Sequence, residues 1–229
     1  MRWLDVAGCP GAGKSELCYA VWGDREVGWD GKLPPAYWKQ FTDEITSLCE
    51  LVQDHPTFEA VIRMNDRSAK KMASVERMEA PEGKFPVFVQ TGLVQRVLGF
   101  GWRLHHMRRD INLIRRALWL MPVSVGVAFL EADLATLIAR NKAREQVKET
   151  AHENRSAQVP HMLACLPIVK EVLKDRGIPT IDIDVQHQPI DAARAELLAF
   201  ANQATCEQSQ MGLGHQDTLL QVPPPWWRR

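Results

Sequence analysis

The chain has no surplus of charge of either sign: 28 lysines and arginines are matched by 28 aspartates and glutamates in 229 residues. A formal net charge of +0 gives no overall pull toward nucleic acid, so any such attraction has to be local. No apolar run approaches the ~20 residues that a membrane-spanning helix needs, and no membrane partner is expected. The five cysteines (Cys9, Cys18, Cys49, Cys165, Cys206) are scattered, odd in number and without a CxxC pair. This argues against a disulfide framework and a thiolate zinc site, and suits reduced thiols in the cytoplasm. There are no internal repeats. Met1-Arg2-Trp3-Leu4-Asp5 enters a strand pattern at once, so no signal peptide is expected. Composition, with 45% hydrophobic and 24% charged residues, is that of an ordinary globular protein.

Against that plain background stands Gly8-Cys9-Pro10-Gly11-Ala12-Gly13-Lys14-Ser15. It fills every fixed position of GxxxxGK[ST]. A strand pattern (Trp3 to Ala7) precedes it and a helix pattern (Glu16 to Trp22) follows. That context makes it a nucleotide phosphate-binding loop rather than a chance match. Glycines let the backbone come close to phosphate oxygens, and the loop N–H groups point into one concavity at a helix N-terminus. Lys14 is expected to reach the β/γ-phosphates, and Ser15 is the expected protein ligand for Mg²⁺. Cys9 lies in a position where a helix terminus can lower a thiol pKa, but nothing else in the sequence supports redox work.

The rest of the chain alternates strand and helix patterns. Strands are expected over Trp3 to Ala7, Thr57 to Met64, Phe85 to Gln90, Val123 to Leu130 and Pro179 to Val185. Helices are expected over Ala36 to Gln53, from about Ser68, over Leu93 to Gly99, Leu104 to Leu120, Asp133 to Lys148, Pro160 to Asp175 and Ile190 to Gln203. Gly99-Phe100-Gly101 is read as a helix break, and 149–156 as a polar linker. Alternation of this kind predicts an α/β fold of three layers with a mainly five-stranded parallel sheet. One domain over 1–204 is expected, followed by a tail over 205–229 that ends Pro-Pro-Pro-Trp-Trp-Arg-Arg and is given no role.

Two further constellations bear on chemistry. Asp66 and Arg67 follow the second expected strand, on the sheet edge that holds the phosphate loop. A carboxylate there suits a general base and an arginine a phosphate clamp; the alternative is a helix cap and a surface ion pair. After the fourth strand, a helical lid is expected over about 133–156, with Arg140 and Arg144 on one helical face and Arg155 beyond them. The alternative is a solvated helix, since Glu145, Lys148 and Glu149 are interspersed.

The loop, the Asp66-Arg67-Ser68 triplet and the Arg140/Arg144/Arg155 set resemble the P-loop kinase group of nucleoside, nucleotide and polynucleotide kinases. The segment Gln90 to Arg96 is similar to phage-encoded kinases, in particular the 5-hydroxymethyluracil DNA kinases. The resemblance implies ATP and Mg²⁺ as cofactors and transfer of the γ-phosphoryl to a hydroxyl, in DNA or on a nucleotide-type acceptor. It also implies catalytic roles for Lys14, Asp66, Arg67, Arg140 and Arg144, in the host cytoplasm if the chain is phage-encoded. A free deoxynucleoside or nucleoside monophosphate acceptor is the alternative, and a non-catalytic nucleotide-binding module a third reading. The third strand ends Val89-Gln90-Thr91, without the metal-positioning acid of many P-loop proteins. Six arginines between Arg96 and Arg116, with Trp102, suit a DNA strand or, equally, a solvated surface. Oligomeric state is not legible.

Overall fold

The computed structural model describes residues 3–22, 35–54, 87–89, 92–121, 125–147 and 154–211. Within these, strands β1 (Trp3–Gly8), β2 (Val87–Val89), β3 (Gly126–Glu131) and β4 (Thr180–Asp184) form one sheet in the order β2-β1-β3-β4. Every pairing is parallel. Leu4, Val6 and Ala7 of β1 and 126–130 of β3 are all buried, as central strands covered on both faces require. In β4 only Ile183 is buried, which suits its place at the end of the described sheet. Four strands are described where five were expected; the remaining one, at Thr57 to Met64, lies outside the described residues.

Seven α-helices are described: α1 (Lys14–Trp22), α2 (Pro35–Leu51), α3 (Leu93–His106), α4 (Ile114–Leu120), α5 (Leu134–Val147), α6 (Arg155–Asp175) and α7 (Ile190–Met211). A short 3₁₀ turn, Ile111–Leu113, precedes α4. The chain leaves β1 toward β2 on one side and later crosses to β3 on the other. The carboxyl end of β1 is therefore a topological switch point, where α/β sheets hold ligands.

Three expectations about helices need correction. The glycines of Gly99-Phe100-Gly101 do not break α3. A Cβ at Gly101 would stand 2.8 Å from the Cys165 sulfur of α6, so the small residue lets two helices touch. The break falls later, at Arg108, whose φ of 56° is left-handed. There Arg108 N–H donates to the His105 carbonyl (3.0 Å) and Arg109 N–H to the Leu104 carbonyl (2.8 Å), a Schellman closure of α3. Helix α6 begins at Arg155 and not at Pro160, because Asn154 caps it by accepting from Ala157 N–H at 3.0 Å. Residues 154–156, expected in a linker, thus belong to the helix and its cap. Helix α7 runs to Met211, past the boundary expected near 204.

Other termini follow the sequence. Asp133 caps α5 through Thr136 N–H at 2.7 Å. Gly177, at φ 64°, closes α6 with bonds from Gly177 N–H to Lys174 and from Ile178 N–H to Leu173, both 2.9 Å. Buried Arg176 donates to the Leu118 carbonyl at 2.6 Å, placing a cation at the negative end of α4.

Candidate phosphate-binding site

The phosphate loop leaves β1 at its carboxyl end and enters α1 at Lys14. Gly8, Gly11 and Gly13 have φ of 147°, 84° and 80°, which L-residues with side chains rarely adopt. Ala12 N–H closes a turn on the Cys9 carbonyl at 3.2 Å, and Leu17 N–H to the Gly13 carbonyl (2.9 Å) starts the helix. The expected binding residues Gly8, Cys9, Pro10, Gly11, Ala12, Gly13, Lys14 and Ser15 are thus one continuous cradle.

Lys14 folds back on this cradle. Its Nζ donates to the Gly8 carbonyl at 2.8 Å and the Cys9 carbonyl at 3.0 Å. Burial pulls its pKa down to about 8; Cys9 and Cys18 oppose that shift, while Arg144 and Arg155 add to it. The two arginines therefore lie within electrostatic reach of the loop lysine. Positive charge acting at the loop from three side chains favours an anion there. Cys9 is 2% exposed and burial pushes its thiol up to about 11, so it stays protonated and unreactive near neutrality.

Helices α5 and α6 are joined by side chains. Glu145 of α5 accepts from Ser156 N–H at 2.9 Å and from the Ser156 hydroxyl at 3.2 Å. In the sequence Glu145 argued for a solvated face; in the fold it caps the first turn of α6 and ties the arms that carry Arg144 and Arg155. Arg140 sits differently. Its guanidinium donates to the Gly11 carbonyl (3.5 Å) and the Val185 carbonyl (3.1 Å), linking the loop to the turn after β4. Here it supports the loop from behind.

Two amides that the sequence did not single out also hold the loop. Gln95 of α3 accepts from Gly8 N–H at 3.1 Å. Asn141 of α5 donates to the Pro10 carbonyl and the Leu137 carbonyl, both at 2.8 Å. Asn141 is marked only by its neighbour Arg140, and Gln95 only as part of the Gln90 to Arg96 segment.

Asp66 and Arg67, the expected base and clamp, lie outside the described residues, as do Gln90 and Thr91. Ser15 is exposed in the first turn of α1. Among the described residues no group of three or more His, Cys, Asp or Glu could hold a metal ion. The Ser15 hydroxyl is a hard oxygen donor of the kind Mg²⁺ takes beside phosphate oxygens and waters. Three of the six arginines are engaged within the protein: Arg103 is buried and bonds the Gly99 carbonyl, Arg115 pairs with Glu171 at 2.6 Å, and Arg116 with Glu44 at 3.5 Å, while Arg108 and Arg109 are exposed. Arg96 is half-buried, and burial pulls its pKa down to about 10 while Asp5 opposes that shift. Trp102 is buried beneath the Arg103 guanidinium and offers no stacking face.

A parallel α/β sheet whose central strand runs through a glycine-rich loop into a helix defines the P-loop nucleotide-binding class. Two solved structures of deoxyadenosine kinase from M. mycoides are similar to this chain, each with a TM-score of 0.54. One, with the products dCMP and a flexible dCDP bound, is 14% identical and is covered over 100% of its chain by 89% of this one. The other, with bound dATP, is 16% identical and is covered over 100% of its chain by 88% of this one. No family model matches the chain, and no curated protein matches it. Among the described residues no helix is long and apolar enough to cross a membrane.

Proposed function

We propose that the chain is an ATP-dependent P-loop kinase that transfers the γ-phosphoryl group to a hydroxyl of a deoxynucleoside-type acceptor. The observation that carries this reading is the complete phosphate loop with Lys14 folded onto it, its Nζ on the Gly8 and Cys9 carbonyls; the positive charges of Arg144 and Arg155, which act on Lys14, add to it. A switch or a simple binding module has no need of lid cations at the end of the triphosphate; a phosphoryl transferase does.

In this reading the loop amides and Lys14 hold the β- and γ-phosphates. Lys14 exchanges its bonds to the Gly8 and Cys9 carbonyls for phosphate oxygens, which restores its charge. Ser15 offers a hydroxyl to Mg²⁺, which when bound neutralises phosphate charge. Arg144 and Arg155 swing over the γ-phosphoryl as the lid closes and stabilise the charge that spreads onto its oxygens. Asp66 takes the proton from the attacking hydroxyl, and Arg67 holds the acceptor side. Positioning and charge neutralisation supply most of the rate.

The fold likeness to deoxyadenosine kinase supports a free deoxynucleoside acceptor. The engagement of Arg103, Arg115 and Arg116 within the protein weighs against the hydroxymethyl group of 5-hydroxymethyluracil in phage DNA as the acceptor. Incubation with γ-labelled ATP and, separately, deoxynucleosides, nucleoside monophosphates, DNA ends and hydroxymethylated DNA tests the choice. Label on a deoxynucleoside is expected. Label only on DNA would reverse the acceptor assignment, and label on none would leave a nucleotide-binding module.

A further inference from the structure

Gln95 and Asn141 reach the phosphate loop from opposite flanks. Gln95 stands on α3, which follows β2; Asn141 stands on α5, which carries the lid arginines. Gln95 Oε1 accepts from Gly8 N–H, beyond Asp5, the last β1 residue paired with β2. It thus supplies a partner for a backbone donor that the β1–β2 ladder does not reach. Asn141 takes the other side, donating to the Pro10 carbonyl while its second N–H bonds the Leu137 carbonyl of its own helix.

The surroundings of Asn141 show that this is more than packing. It is 1% exposed, and its Oδ1 is buried without a hydrogen-bond partner among the described residues. A buried orphan acceptor is costly, and an apolar side chain of the same shape would avoid the cost. The amide stands where one of its N–H groups holds the loop. Gly11 closes on the same amide: a Cβ there would lie 2.7 Å from Asn141 Nδ2.

We propose that Gln95 and Asn141 are positioning residues, an amide brace that fixes the phosphate loop between the lid helix and α3. The brace presets the cradle for a polyphosphate before any ligand arrives, so less ordering is left for binding. Because its two ends sit on α3 and α5, it also fixes the loop relative to the lid arginines. The ligand part of the inference rests on the phosphate-loop reading given above.

The test uses the full chain with Gln95→Met, Gln95→Glu and Asn141→Leu. Hydrogen exchange of the 8–13 amides is measured without ligand, and ATP and inorganic tripolyphosphate are titrated by calorimetry. Gln95→Met keeps length but removes the acceptor. It is expected to speed exchange at the loop and to weaken both probes by a similar factor, about 5–20-fold, the worth of one hydrogen bond. The thermal midpoint should move little. Gln95→Glu keeps an acceptor oxygen and should restore loop protection. Asn141→Leu should match Gln95→Met in both readouts; if it does not fold, the two Gln95 variants decide. Unchanged exchange in Gln95→Met overturns the brace whatever the probes do. Faster exchange with unchanged probe affinity overturns its role in binding. If the unaltered chain binds neither probe, the phosphate-loop reading fails and the ligand role with it, while exchange still decides whether the amides brace the loop.

Discussion

Gly11 and Gly13 lie two residues apart in the loop at nearly the same backbone angle, φ 84° and 80°, but in different surroundings. A Cβ on Gly11 would meet Asn141 Nδ2 at 2.7 Å and the Leu137 carbonyl at 3.1 Å, both on α5. A Cβ on Gly13 would find only Glu16 Oε2, at 3.8 Å. Alanine at either site pays the left-handed conformation, about 1–2 kcal/mol. Alanine at Gly11 must also push α5 away or break the bond from Asn141 to Pro10. That adds about 0.5–1.5 kcal/mol for the bond and about 1–3 kcal/mol for overpacking. The expected loss is therefore about 1–2 kcal/mol for Gly13→Ala and about 2.5–6.5 kcal/mol for Gly11→Ala. In a chain of this size each kcal/mol moves the thermal midpoint by about 2–4 °C. Urea unfolding and calorimetry give both numbers, with ATP titration on the same samples. Equal losses for the two variants, or a larger one for Gly13→Ala, would refute the packing of the loop on Asn141.

Lys14 must be charged to hold a phosphate, and burial sets its pKa at about 8 in the ligand-free protein. ATP affinity should hold steady below that value and weaken above it, being about tenfold lower at pH 9 than at pH 7; a flat titration would contradict the assigned environment. Arg108→Gly should raise stability by about 0.5–1 kcal/mol, since relief of the left-handed strain exceeds the entropy of a glycine in the unfolded chain; a drop in midpoint would show that the guanidinium makes a contact worth more. Asp133→Ala removes the cap of α5 and should cost about 1 kcal/mol, read by urea unfolding; no loss would contradict the stabilising role of the cap.

Much of the fold was legible because its signals are local. The phosphate loop, the buried run of β3, the Asp133 cap and the Gly177 closure each depend on a few neighbouring residues. What misled were features whose meaning depends on distant partners. Gly99-Phe100-Gly101 looks like a helix break until Gly101 is seen to leave room for Cys165 of α6. Pro160 looks like a helix start, yet Asn154 starts the helix a turn and a half earlier. Glu145 looks like solvent decoration until Ser156 comes to meet it. Asn141 was marked only by its neighbour Arg140, and Gln95 only as part of the Gln90 to Arg96 segment, because a lone amide acquires a role only from the carbonyl or N–H that the fold brings to it. Arg140 and Arg144, four residues apart on one helix, differ in partners: Arg140 bonds the Gly11 and Val185 carbonyls, while the charge of Arg144 acts on Lys14.

The claim that the cradle at residues 8–15 grips a nucleoside triphosphate through Lys14 is tested most directly by titrating ATP calorimetrically into the unaltered chain and into Lys14→Ala. Binding to the first, with an affinity loss of about 10–100-fold in the second for one charge-assisted contact and an unchanged far-ultraviolet spectrum, is the predicted result. Equal affinity in both proteins would contradict it, as would the absence of ATP binding by the unaltered chain.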